Sequence, residues 1–194
     1  MNASASGYHL FDTDIGVCGI AWNTHGITQL QFPEKDRAAT EKRIRTRSGA
    51  EPQTPPPEVA QAIAALLRYF AGERVDFSGV AVDLPDASDF HKKLYAALRK
   101  VSWGKTTTYG GLGKMLDEAI DARDIGQAMG KNPVPVIIPC HRVLAAGNKI
   151  GGFSAPGGVF TKEKLLTLEG VAIGVSEDAP MFPGLLTPQR RAAN

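Results

Sequence analysis

The 194-residue sequence predicts an α+β protein, and three observations carry that reading. Short apolar runs separated by turn residues open the chain, as the strands of a meander do. Helical spacing replaces them after residue 56. Past residue 86 a second block of helices begins, with capping signals of its own. At 43% hydrophobic and 22% charged, the chain has enough apolar side chains to bury a core. No run approaches the roughly 18 to 20 apolar residues that cross a bilayer, and the start carries no basic segment followed by an apolar one, so neither membrane association nor secretion is expected.

Taken in order, Tyr8 to Phe11, Val17 to Trp22 and Ile27 to Phe32 read as three strands, joined by turns at Asp14-Ile15-Gly16 and Asn23-Thr24-His25-Gly26. From Pro33 to Pro57 the chain is charged and then proline-rich. The three prolines at its end cannot lie inside a helix, so the segment reads as an exposed loop. Val59, Ile63, Leu66, Leu67 and Phe70 recur on one helical face, with Gly72 placed as a C′ glycine. Val75, Phe77, Val80, Val82 and Leu84 alternate as in a strand and close a first unit near residue 85.

Ser88 is placed to cap a helix whose Phe90, Leu94, Leu98 and Val101 share a face, with Gly104 beyond its end. Two short helical stretches follow, Tyr109 to Leu116 and Ala122 to Met129, with a break at Asp117 to Asp121. They fit a helix-turn-helix or an ordinary helical hairpin. The expected division is an α+β domain over 1–85, a helical domain over 86–173 and an irregular tail over 174–194 containing Pro180, Pro183 and Pro188.

Charge is uneven. Residues 1–90 carry 8 basic and 12 acidic side chains, whereas residues 91–170 carry 12 and 6, so a polyanion would meet the second half. Only Cys18 and Cys140 occur, too few for a disulfide framework, which points to a reducing compartment.

The dense stretch runs from Asn132 to Gly158. Pro133, Pro135 and Pro139 fix φ and remove three backbone donors, which predicts a stiff, extended approach to Cys140. A buried structural cysteine needs no such lead-in. His141 and Arg142 follow at once, and an adjacent imidazole or cation raises the thiolate fraction, so a nucleophilic cysteine is the leading reading. Neighbouring side chains diverge, and contact between Cys140 and His141 therefore requires a turn or a bridging water. A histidine base is usually oriented by an acid, for which Glu163 and Glu169 are both candidates; spacing does not choose between them.

Five motifs in order, TTTYGGLG, DARDIGQAM, NPVPVIIPCHRV, GGFSAPGG and KEKLLTLEG, closely resemble those of the O6-alkylguanine-DNA alkyltransferases, also called methylated-DNA-protein-cysteine methyltransferases. Their hallmark pentapeptide stands here as Pro139-Cys140-His141-Arg142-Val143. The resemblance covers about residues 88–170. It implies that Cys140 accepts the alkyl group, that His141 is its base through a water, and that Glu169 orients His141. By the same resemblance Asn132 ties the recognition helix to the active-site turn, and Tyr109 helps move the target nucleotide and donates to the guanine ring. Arg123 matches the family's arginine that enters the duplex and holds the gap left by the flipped base. Val143, Phe153 and Ser154 meet the base and its alkylated oxygen, and Thr108 and Gly126 fall on the DNA side of the two short helices.

The implied fold is a ribonuclease-H-like first domain followed by a winged-helix-like helix-turn-helix that binds from the minor groove. The implied activity is direct reversal of DNA damage by a monomer in the cytoplasm, associated with the nucleoid when bound to DNA, in one irreversible turnover on O6-alkylguanine in double-stranded DNA, with O4-alkylthymine as a second candidate lesion. No cofactor is expected. Phe153 stands where many relatives have tyrosine, and Ala155-Pro156 is an insertion that bears on bulky alkyl groups. Some relatives hold zinc in the first domain. Here Cys18, His9 and His25 lack a four-ligand spacing, with Asn23 and Thr28 about where ligands would fall, so no zinc is expected.

Three other readings compete. A non-catalytic lesion binder would not need Cys140, a cysteine hydrolase would need a direct Cys–His pair and an acyl substrate, and a plain helix-turn-helix regulator leaves the PCHRV segment unexplained.

Overall fold

The computed structural model describes residues 6–116 and 120–172. Strands β1 (Gly7–Thr13), β2 (Gly16–Asn23) and β3 (Gly26–Gln31) form the expected meander. A short fourth strand, β4 (Glu51–Pro52), pairs parallel to β1, giving the order β3-β2-β1-β4. Period-2 alternation sends Cys18, Ile20 and Trp22 to one face of β2 and Ala21 to the other.

Two helices cover those faces. Helix α1 (Arg37–Ser48) packs Ile44 against Tyr8 and Ala21, and α2 (Pro57–Phe70) packs Val59, Leu66 and Phe70 against Cys18, Ile20 and Trp22. Helix α1 corrects the expectation of a loop from Pro33 to Pro57. Ile44 is the one large apolar side chain it buries, and its other positions are mostly charged, so no apolar stripe announces it. Its signals lie at the ends: the Asp36 carboxylate accepts from Ala39 N, and Gly49 takes a left-handed φ of 63°. Pro57 occupies the first turn of α2, where a missing N–H costs nothing.

The expected strand from Val75 to Leu84 is not formed. A single bridge links Val82 to Ile27, while the carbonyls of Phe77, Ser78 and Val80 accept hydrogen bonds from the Arg99 guanidinium, which takes acceptors a ladder would have needed. The alternation seen in the sequence is apolar anchoring of a loop.

The helical part begins with α3 (Asp89–Leu98), capped by Ser88 as its sequence predicts. Strand β5 (Thr107–Thr108) leads into α4 (Tyr109–Met115), and α5 (Ala122–Gly130) packs on α4 through Leu112, Ile125 and Ala128. Together α4 and α5 form the helix-turn-helix. A 3₁₀ turn over Cys140–Arg142 then runs into β6 (Val143–Leu144), which pairs parallel to β5, and α6 (Gly158–Leu168) closes the described chain. One buried cluster runs from the sheet through α2 and α3 to Ile138, Cys140 and Leu165, so both halves share a core. A backbone hydrogen bond from Leu30 N to Pro133 O, 2.9 Å, ties β3 to the segment ahead of Cys140. The tail assigned to 174–194 lies outside the described residues.

Candidate active site

The approach to Cys140, which the three prolines predict to be stiff and extended, is folded into a turn. Ile138 N donates to Val134 O and Ile137 N to Pro135 O, and Val136 takes a positive φ of 72°. This turn seats Val134 to Ile138 in the core, and their burial supports the left-handed valine. Cys140 opens the 3₁₀ turn at 8% exposure.

Asn132, just past α5, holds both ends of the turn. Its Nδ2 donates to Ile138 O at 2.8 Å and to Cys140 Sγ at 3.1 Å, and its Oδ1 accepts from Val134 N at 3.0 Å. The expected thiol activation by Arg142 does not occur. Burial pushes the Cys140 thiol above its ordinary value, and the Asn132 amide and the Lys162 ammonium oppose that rise. Arg142 points elsewhere: its Nε and Nη2 grip Glu169 at 2.8 and 2.9 Å, and Nη1 donates to Val101 O.

Glu169, at the end of α6, is the most heavily bonded group of the site. Its Oε1 accepts from His141 Nε2 at 2.7 Å and from Tyr69 Oη at 2.9 Å, while Gly104 N reaches Oε2. The cost of burying a carboxylate is outweighed by hydrogen bonds from His141 and Arg142, which hold its pKa down at about 2. The structure thus separates the two glutamates that spacing could not: Glu169 is buried on His141, and Glu163 is half-exposed on α6. Burial lowers the pKa of His141, with Glu169 opposing, so the ring is neutral and donates through Nε2. Its buried Nδ1 has no protein partner among the described residues and carries the free lone pair.

The β5–β6 pair sets Thr107 and Thr108 beside Val143 and Leu144, which brings Tyr109 to the Cys140 turn. The Tyr109 ring sits near both Gly126 on α5 and Gly151, since a Cβ on either glycine would lie within 3.9 Å of it. Burial, and then Cys140, raise the Tyr109 pKa, which keeps the phenol a proton donor. The Thr108 hydroxyl caps α4 by accepting from Gly111 N. Arg123 is exposed in the first turn of α5, away from the buried relay. Val143 is fully buried in β6; Phe153 and the exposed Ser154 line a cavity that reaches Cys140.

Two participants were missed in the sequence. Tyr69 lies outside the apolar stripe read for α2, though it is fully buried and its hydroxyl completes the Glu169 shell. Lys162 is fully buried, donates from Nζ to Val143 O at 2.6 Å and to Gly152 O at 3.4 Å, and is pulled down to a pKa of about 8 by burial. It fastens the loop over the cavity to β6. A lysine amid charged neighbours on a helix gives no such signal.

Fold and site together define a cysteine-containing protein with a helix-turn-helix unit built around that cysteine's turn. Two family models match it: "6-O-methylguanine DNA methyltransferase, ribonuclease-like domain" over residues 7–84 and "6-O-methylguanine DNA methyltransferase, DNA binding domain" over residues 89–171. The chain belongs to the 6-O-methylguanine DNA methyltransferase family. It is 32% identical to the methylated-DNA–protein-cysteine methyltransferase of Mycolicibacterium paratuberculosis over 84% of this chain and 91% of that one. Identity to the Methanosarcina acetivorans protein of the same name is also 32%, over 84% and 97%. Among solved structures, Mycobacterium tuberculosis OGT in complex with DNA superposes with a TM-score of 0.66 at 32% identity, covering 84% of this chain and 93% of that one. The O6-methylguanine-DNA methyltransferase of Pyrococcus kodakaraensis gives 0.65 at 27%, covering 86% and 99%.

Proposed function

We propose that this protein repairs DNA by direct reversal, taking the alkyl group of O6-alkylguanine onto Cys140 Sγ in a single irreversible turnover. The observation that carries the reading is the pairing of a buried thiol, hydrogen-bonded to Asn132, with a neutral His141 whose Nδ1 is free because Glu169 occupies Nε2. His141 takes the thiol proton, through a water, and the thiolate attacks the alkyl carbon. As the C–O6 bond breaks, negative charge develops on guanine, and Tyr109 donates to it.

Guanine stacked in a duplex hides that carbon, so the nucleotide must be flipped out at a cost of a few kcal/mol. Arg123, exposed on α5, is placed to fill the gap it leaves. Ser154 and the Phe153 ring wall the base pocket, Val143 backs it from within β6, and Gly126 faces the Tyr109 ring. The thioether product offers water no acyl bond, which makes the reaction stoichiometric. The chain divides into an α+β domain over 1–85 and the DNA-binding and acceptor domain over 86–173. A reducing compartment such as the cytoplasm suits the chemistry, since both cysteines are free thiols. Among the described residues no helix is long and apolar enough to cross a membrane.

The test is intact mass and peptide mapping after incubation with one equivalent of a duplex containing O6-methylguanine. One methyl per protein, confined to Cys140 and absent from Cys140→Ala, is expected. Tight lesion binding without a mass change would make the protein a lesion sensor.

A further inference from the structure

The cavity above Cys140 has a volume of about 260 Å³ and is walled in part by the first domain. Besides Cys140, Pro135 and Phe153, its lining includes Gln31 of β3 and Arg43 and Arg47 of α1. The flipped base and its O6 substituent share this cavity, of which a methyl group, near the size of a water molecule, takes only roughly 30 Å³. The space beyond it is polar on the α1 side. Arg43 is paired there, its Nε 3.7 Å from Glu34 Oε1. Arg47 has only an amide: its Nη1 donates to Gln31 Oε1 at 3.3 Å, and among the described residues no carboxylate lies within ion-pair distance of it. Gln31 cannot turn away, because it is 3% exposed and its Nε2 is held by Phe32 O and Glu34 Oε1. An exposed guanidinium with no carboxylate at ion-pair distance, and with Glu34 acting on it only from beyond that distance, thus stands on the wall of the cavity that ends at the thiol. Partial burial and the like charge of Arg43 lower the Arg47 pKa and Glu34 opposes them, so a bound anion would act in the same direction as Glu34.

Resting on the reading of Cys140 as alkyl acceptor, we propose that Arg47, with Arg43 beside it, makes this protein select O6-alkyl groups that end in a carboxylate over neutral groups of equal size. A thiolate approaching a carbon that bears a carboxylate is repelled by like charge, and a guanidinium within reach offsets that repulsion while its planar fork fits two carboxylate oxygens. Pro135 and Phe153 supply apolar contact for the intervening methylene. The transfer balances as for a methyl group: the Sγ–C bond forms, the C–O6 bond breaks with its electron pair on guanine, the thiol proton leaves through His141 and guanine gains one from Tyr109. The carboxylate is carried unchanged onto the cysteine.

The experiment measures single-turnover rates on duplexes carrying O6-methylguanine, O6-carboxymethylguanine or its neutral near-isostere O6-carbamoylmethylguanine. The unaltered protein is compared with Arg47→Gln and Arg47→Lys. In Arg47→Gln the carboxymethyl-to-carbamoylmethyl rate ratio is expected to fall about tenfold, with partial recovery in Arg47→Lys, which keeps the charge without the fork. A ratio unchanged by Arg47→Gln, including one in which both rates fall together, overturns the proposal and assigns Arg47 to the DNA backbone or to packing. Failure of the unaltered protein to take a methyl group would overturn the acceptor reading itself, and this inference with it.

Discussion

Tyr69 on α2 and Glu169 at the end of α6 stand 100 residues apart in the chain, and the phenol donates to the carboxylate at 2.9 Å. A helix of the first domain therefore reaches into the His141 relay. The Tyr69 ring is wedged edge-on among Phe70, Trp103 and His141, and burial, reinforced by Glu169, raises its pKa well above the ordinary value, which keeps it a donor. Tyr69→Phe preserves that packing and deletes one donor. The negative charge of Glu169 then bears more strongly on His141, and the imidazole pKa rises. The acid limb of the single-turnover rate is expected to move to higher pH, with a stability loss of about 1 kcal/mol. A lower melting temperature with an unmoved pH profile would reduce Tyr69 to a packing residue.

Asn132 governs the thiol. Removing its side chain takes away a donor to Cys140 Sγ, leaves Val134 N without its partner and leaves Ile138 O with Cys140 N alone. In Asn132→Ala the thiol pKa is expected to rise further, since burial is then opposed by Lys162 and backbone donors alone. Iodoacetamide labelling of Cys140 near pH 8, done without DNA, should slow about tenfold, and stability should fall by about 1–3 kcal/mol for the unsatisfied Val134 N–H. Labelling at the original rate would mean that the amide shapes the turn without tuning the sulfur.

How much of this was legible in the sequence depended on where each residue's signal resides. The PCHRV segment and the helices around it announce themselves through prolines, caps and apolar spacing, so Cys140, His141 and the α4–α5 pair could be placed from residue types alone. Helix α1 could not, because Ile44 is the one large apolar side chain it buries and pattern reading weighs stripes. Glu169 and Glu163 have the same chemistry and spacing leaves them equal; the family resemblance points to Glu169, and it is Glu169 that His141, Tyr69 and Arg142 approach. The strand expected at Val75 to Leu84 failed for the opposite reason. Its alternation is real, but Arg99 claims carbonyls that a neighbouring strand would have needed.

Titration of the relay predicts an acid-sensitive fold. Glu169 is held from 4.5 down to about 2, because hydrogen bonds from His141 and Arg142 outweigh its burial. A depressed carboxyl pKa contributes stability that is present above the unfolded value and is lost as pH falls from 4.5 toward about 2. His141 adds a loss that begins below its ordinary 6.5, since burial keeps it neutral in the folded state while the unfolded chain takes up a proton. Glu169→Gln removes the lower window but strands the Arg142 guanidinium, which is 6% exposed, without its counter-charge. The variant should be about 3 kcal/mol less stable at pH 7, yet lose less on further acidification. Urea midpoints across pH 2–7 give both slopes, and parallel curves for the two proteins would contradict the assignment.

Arg123 makes the last prediction, and it separates flipping from simple affinity. The side chain is exposed, and its backbone N–H, not its guanidinium, is what Asp121 caps, so Arg123→Ala leaves the fold of α5 intact. If the guanidinium fills the space of the flipped nucleotide, its loss should matter most where a stack must be broken. On an O6-methylguanine duplex the single-turnover rate should fall tenfold or more, while on the same lesion in a single strand, already unstacked, the fall should be several times smaller. A phosphate contact behaves differently: it weakens binding to any duplex alike and lowers the salt dependence by about one counterion. An equal fall on both substrates, together with a reduced salt slope, would therefore move Arg123 from the base stack to the backbone.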